Sequence, residues 1–211
     1  MAQVKKPAVR EAIFAAAHVL FRDQGYNGTT LTQIAAEAGI STANLYSYFN
    51  SKFDILYSIY DPWLRERFKR LQLELAAIRD PRKRLRHLIA VIWRDIPAED
   101  NGFANNIIQA VSGASREGYD PSLLITAEKF VARMLREMLP SDRLEVVDVK
   151  SMSHVIFMAF DGFAMSAHVN RGGACGDKEI ELLCTLILGN SRRSTAVERK
   201  EKPFQLRQKA K

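Results

Sequence analysis

Residues 25–52 read GYNGTTLTQIAAEAGISTANLYSYFNSK, and the start and stop signals in this stretch set out two short helices joined by a tight turn. Thr30 followed three residues later by Gln33 is a capping-box pattern: the threonine hydroxyl takes an orphan backbone N–H of the first turn while the glutamine amide reaches back to the cap. A helix is therefore expected from Leu31 to Ala38. Leu31, Ile34, Ala35 and Ala38 recur at the spacing of one buried face, and the small Ala35 leaves room for another helix to come close. Gly39 ends it, because glycine adopts the left-handed backbone of a sharp turn without steric cost, and Ser41 is placed to cap the next helix. That second helix turns Leu45 and Phe49 inward. It leaves Thr42, Ala43, Asn44, Tyr46 and Tyr48 toward solvent, a set of hydroxyls and an amide suited to base edges and phosphates rather than to a core. Helical hairpins with a glycine turn occur in many folds, so the bare pattern leaves an ordinary helix pair open beside a DNA-reading one.

The residues carry more than the pattern. The run GYxxTTLxxIAxxAGISxxxLYxYFxSK resembles the N-terminal signature of the TetR family of one-component bacterial regulators, over about residues 8 to 56. The resemblance implies a helix ahead of the reading pair, which fits Val9, Ile13, Ala16, Ala17, Leu20 and Phe21 on one stripe. It implies that Thr30 touches phosphate, that Thr42, Ala43 and Asn44 face the major groove, and that Tyr46, Tyr48 and Lys52 grip the DNA backbone. The family often has glycine where this chain has Ala43, which adds a methyl group at the groove. It further implies a homodimer on a near-palindromic double-stranded DNA operator, acting as a repressor released by a small-molecule effector. Past residue 56 the resemblance transfers an architecture but not a ligand.

Length and periodicity agree with that architecture. A chain of 211 residues can bury a sizeable core, and sustained apolar and polar alternation is missing whereas helical periodicity recurs from Lys5 to about Leu188. The expected fold is all-α, with about nine helices: a three-helix helix-turn-helix head over residues 1–51, a larger helical effector-binding and dimerisation body over 52–190, and a basic tail over 191–211. Ser51 caps a long helix from Lys52 toward Ala77 that joins head to body, so its start is the expected hinge. Pro81 opens a further helix through Leu85, Leu88, Ile89 and Ile92, ending near Asp95. Another carries Phe103, Ile107 and Val111 and stops around Gly113, and one from Ser122 to Leu139 is closed by Pro140.

The segment from Val149 to Val169 is apolar on two sides, so both must be buried. One stripe, Val155, Ala159, Gly162 and Ser166, is small enough for close helix approach. With Ile180, Leu183, Cys184 and Ile187 of the last helix it is expected to build a four-helix interface between two copies; packing within one chain is the alternative. The opposite stripe, with Phe157 and Asp161, points inward. His154, Asp161 and His168 are spaced seven apart, roughly 10 Å between neighbours, too far to share one metal ion. They are either satisfied polar groups or, in the case of Asp161 or His168, part of an effector cavity together with Asn105, Asn106 or Gln109. The expected walls of that cavity are Trp63, Trp93, Phe103, Ile107, Phe130, Met134 and Phe157.

Charge, cysteine and histidine content narrow the classes. The formal net charge is +7, but residues 191–211 alone hold eight Lys+Arg against two Asp+Glu, so the excess marks a solvated, disordered end or an extra phosphate contact. Two cysteines make no disulfide framework, and no run of 18 apolar residues offers a membrane span, so a soluble cytoplasmic protein is expected. Lys5, Lys6 and Arg10 ahead of AIFAAAHVLF imitate a secretory leader, but Glu11 and His18 interrupt it and the helical period continues. The four histidines are scattered, and no glycine-rich phosphate loop or metal-ligand spacing occurs, so neither an enzyme nor a cofactor is expected. A sequence-blind architectural DNA binder is the nearest rival.

Overall fold

The computed structural model describes residues 6–99, 102–113, 121–169 and 175–189, and among these every regular element is helical. The head holds α1 (Pro7–Gly28), α2 (Leu31–Glu37) and α3 (Thr42–Tyr46), and α4 (Lys52–Ala77) leads out of it. The body continues with α5 (Pro81–Ala90), a π-helical turn (Val91–Asp95), α6 (Ile96–Glu99), α7 (Phe103–Ser112), α8 (Ser122–Met138), α9 (Ser141–Leu144), α10 (Val149–Val169) and α11 (Asp177–Leu188). Eleven α-helices thus stand among the described residues where about nine were expected. The difference comes from short pieces: the helix from Pro81 continues through the π turn into α6, and the single-turn α9 fills the α8–α10 connection. The basic tail lies outside the described residues.

The local signals act as their chemistry dictates. Thr30 Oγ1 accepts the Gln33 N–H at 3.2 Å while the Thr30 N–H donates to Gln33 Oε1 at 2.7 Å, completing the capping box. Gly39 takes the left-handed conformation at φ +68°, and Ser41 Oγ accepts the Asn44 N–H at 3.1 Å. Ser51 Oγ in turn accepts the Asp54 N–H at 3.0 Å where α4 begins. Ile13, Ala17 and Phe21 of α1 close over Ile34 and Leu45, all buried, to make the core of the head.

The core of the body is built on α4, whose Leu64, Phe68, Leu71 and Leu75 are buried among α5, α7 and α8. Arg67, buried on the same helix, ion-pairs with Glu99 at 3.1 Å and Glu74 at 3.5 Å, and Glu74 also holds His87 Nε2 at 2.7 Å. The π turn brings the Trp93 indole onto α10, where its N–H donates to the Ile156 carbonyl at 2.8 Å. A ladder of ion pairs seats α11 on the α5 side: Glu181 with Arg82 and Arg86, both at 2.8 Å, and Asp177 with Arg86 at 3.0 Å and Arg94 at 3.1 Å.

That seating corrects one expectation. Ile180, Leu183, Cys184 and Ile187 are buried within the chain, because α11 packs this face against α5; its outward apolar groups are Leu182 and Leu186. On α10 the small stripe faces outward, with Val155 and Gly162 exposed, and Ile156, Phe157 and Ala164 face in. Both cysteines are free, and burial pushes the Cys175 and Cys184 thiols up to about 11. No helix among the described residues is long and apolar enough to cross a membrane.

Leu71→Ala, at a site with no solvent exposure, should lose about 2–5 kcal/mol of unfolding free energy in denaturant titration at fixed protein concentration. Leu73→Ala, two residues away at a site 73% exposed, should change it by less than about 0.5 kcal/mol.

Candidate nucleic-acid interface and body cavity

The capped α2–α3 pair sets the short α3 on the outside of the head. Ala43 and Tyr46 are exposed, Thr42, Asn44 and Tyr48 are half-buried, and Thr30 is exposed at the start of α2. Asn44 accepts a hydrogen bond from the Ser47 hydroxyl at 3.3 Å, which orients its amide, and the Tyr48 hydroxyl accepts the Lys6 backbone N–H at 3.0 Å. Lys52 is placed differently from what the resemblance implied. Its ammonium is turned into the head, donating to the carbonyls of Tyr26 at 2.6 Å and Thr29 at 2.7 Å, and it lies 4.1 Å from the centre of the Tyr26 ring. Desolvation at this site lowers its pKa from the ordinary lysine value.

Lys52 is one spoke of a hub at the end of α1. Gly25 interrupts the helix at φ +72°, a conformation that glycine alone adopts without strain, and the buried Thr29 hydroxyl ties the resulting turn by donating to the Gly25 carbonyl at 2.8 Å. The break frees backbone groups that must find other partners. Asn106 of α7 supplies two of them: its Oδ1 accepts the Tyr26 N–H at 2.6 Å and its Nδ2 donates to the Phe21 carbonyl at 3.0 Å. Gln109, one turn on, accepts the Asn27 N–H at 3.3 Å. Phe103 adds an aromatic contact between head and body, lying 5.1 Å from the His18 ring of α1 and stacked 6.4 Å from Tyr60 of α4.

The opposite face of α7 borders a cavity of about 260 Å³. Ile107, Ile108 and Val111 form that side; Tyr57, Tyr60 and Phe68 of α4, Leu124 of α8, and Phe157 and Asp161 of α10 are among the others. The Tyr57 and Ser122 hydroxyls share a hydrogen bond of 2.6 Å at its edge, joining α4 to α8. Burial raises the pKa of Asp161 from the ordinary aspartate value.

Of the residues expected at the cavity, Ile107, Phe157 and Asp161 line it, and Trp63, Trp93, Phe103, Asn106 and Phe130 do not. Each of the five has other work. Trp63 stacks on Tyr60 at 5.5 Å, Trp93 is pinned to α10 by its N–H, Phe103 and Asn106 serve the hub, and Phe130 stacks at 4.6 Å behind Phe68. Met134 is buried core outside the lining. His154 pairs with Glu128 at 2.7 Å on the surface, and the side chain of His168 lies outside the described residues. Tyr57, Tyr60 and Phe68 of α4, Ile108 and Val111 of α7 and Leu124 of α8 are among the lining residues that sequence reasoning missed.

The sequence profile of the bacterial regulatory proteins of the tetR family matches residues 13–59, which contain the reading pair, its caps and the start of α4. The head of this chain is thus similar to that family's DNA-binding segment over those residues. Among curated proteins, the chain is 38% identical over 80 residues to the HTH-type transcriptional regulator HbdR of Aromatoleum sp. (strain CIB), covering 38% of this chain and 35% of the relative. It is 41% identical over 70 residues to the HTH-type transcriptional repressor BepR of Brucella suis, covering 33% and 32%. The match thus spans about a third of these relatives' length. In whole-chain shape it is similar to the fatty acid degradation regulator FadR from Bacillus halodurans, with a TM-score of 0.65 at 19% identity over 89% of this chain and 98% of that one. FadR from Bacillus subtilis, in complex with stearoyl-CoA, gives a TM-score of 0.64 at 18% identity over 85% and 97%. These likenesses show that the fold of head and body together is shared with those proteins.

Asn106→Ala strands the Tyr26 N–H and Phe21 carbonyl and should lose about 1–3 kcal/mol of unfolding free energy. Gln109→Ala removes one longer, solvent-facing bond and should cost less than about 1 kcal/mol by the same titration.

Proposed function

We propose that this chain is a sequence-specific transcriptional regulator that binds a near-palindromic operator as a homodimer and is a repressor released by a small molecule. The observation that carries this reading is the position of α7, with the hub of the DNA-reading head on one face and the cavity on the other. In this reading, residues 1–51 act as the reading head and 52–190 as the sensing and dimerising body. Thr42, Ala43 and Asn44 meet base edges, and Thr30, Tyr46 and Tyr48 meet phosphates. Lys52 acts from inside, stiffening the turn that carries α2 into the groove.

The exposed apolar groups of α10 and α11 support the homodimer. Val155, Met158, Met165, Leu182 and Leu186 are each more than a third exposed on the outer side of two neighbouring chain segments, and Gly162 among them leaves room for another helix to approach. A twofold pairing there sets two heads against one side of the duplex.

Release follows from linkage. A ligand that fits the cavity better when α7 is displaced also favours a displaced hub, and thus a head spacing wrong for successive major grooves; DNA opposes the ligand to the same extent. Moving the population from 1:99 to 99:1 takes a preference of about 5.5 kcal/mol. The long α4 shares the task, since it carries both Lys52 at the hub and Tyr60 at the cavity wall. The complex of Bacillus subtilis FadR with stearoyl-CoA supports the view that a body of this fold can hold a ligand.

Selection of genomic fragments by the purified protein at moderate salt, followed by footprinting, should yield a protected near-palindrome spanning two half-sites. Asn44→Ala should change which base pairs are preferred, with single mismatches otherwise costing about 1–3 kcal/mol. Enrichment of fragments without any common site would overturn the reading in favour of a sequence-blind DNA binder.

A further inference from the structure

Among the described residues that line the cavity, charge is unbalanced. Asp161 is the one acidic or basic side chain among the described residues that line it, and it makes no hydrogen bond or ion pair with any described residue. The remaining wall is aliphatic and aromatic, with rings from both α4 and α10, and of its hydroxyls Tyr57 is engaged with Ser122 and Ser112 with the Gln109 carbonyl. A carboxylate partly withdrawn from water without a partner is disfavoured in its ionised form, and a cation beside it relieves that cost while keeping the charge. The same desolvation disfavours the ionised form of Asp161 and raises its pKa, a shift that a cation beside it would oppose. Aromatic faces attract ammonium groups, most strongly when water is excluded. An anion would meet repulsion here, and no basic side chain among the described lining residues would offset it.

We propose that the cavity selects a lipophilic cation, a small amphiphile whose ammonium group sits at Asp161 and whose hydrocarbon part lies among the rings of α4 and α10. The size is consistent with one short chain or one or two rings, since about 260 Å³ falls just below the range of roughly 300–1,000 Å³ usual for small-molecule pockets. The inference rests on reading the cavity as the effector site and names the chemical class that the site takes.

Calorimetric titration of the full chain with octyltrimethylammonium, octan-1-ol and octanoate separates the two ideas. The expected order is ammonium first, at least tenfold tighter than the alcohol, with octanoate weakest. In Asp161→Asn, checked for native helicity by circular dichroism, the ratio of ammonium to alcohol affinity should collapse toward one. Equal affinities in the unmodified chain, or octanoate binding best, would overturn the cation assignment while leaving the cavity a ligand site. Absence of binding by all three would overturn the cation assignment and count against the cavity as the effector site as well. The comparison of the three probes on the unmodified chain decides the matter even if the variant fails to fold.

Discussion

The hydrogen bonds between Asn106 and the broken end of α1 are the interaction on which the rest of the structure depends. Gly25 interrupts the first helix, and that interruption leaves the Phe21 carbonyl and the Tyr26 N–H in need of partners in a place largely closed to water. One amide side chain answers both, and it answers from the body. The head is therefore not a bead on a flexible string. Its orientation is fixed by a donor and an acceptor whose loss strands buried backbone groups, and such groups are expensive to leave unpaired.

The remainder of the hub makes the junction stiff from several directions. Lys52 closes it from α4, Thr29 closes it from within the turn, and Phe103 wedges between His18 and Tyr60. Tyr60 then faces the cavity, so two continuous routes lead from cavity to head: across α7 from Ile107 to Asn106, and through the stacked pair of Tyr60 and Phe103. Packed interiors shift between discrete arrangements rather than yielding smoothly, so under the proposed function a small displacement at the cavity wall would reorient the head.

The head was legible in the sequence because its signals are local. Thr30 with Gln33, Gly39, Ser41 and Ser51 each act on backbone groups within a few residues of themselves, so their chemistry fixes the helix ends without knowledge of the rest of the chain. The cavity was harder to read. Helical period says which residues share a face, but not which neighbour that face meets, and an aromatic side chain fills a core as readily as it lines a void. Trp93 and Phe130 accordingly pack behind the wall, and the face of Ile180 and Ile187 belongs to α5 rather than to a second copy. Asn106 left a usable signal: at about 100° per residue it stands opposite Ile107, Ile108 and Val111 taken together, so it could not share their cavity. That its partner would be α1, some eighty residues earlier, was not available from any local pattern.

Coupling between cavity and head through the hub is tested most directly by hydrogen exchange of the Tyr26 backbone amide. It is measured in the chain alone and with the cavity saturated by whichever of octyltrimethylammonium or octan-1-ol binds, alongside amides in the middle of α8 as a reference. A fall in Tyr26 protection of about tenfold, with the reference amides unchanged, is the expected result for a clasp that loosens when the cavity fills. Unchanged protection at Tyr26 under conditions where the same compound releases operator DNA would contradict it.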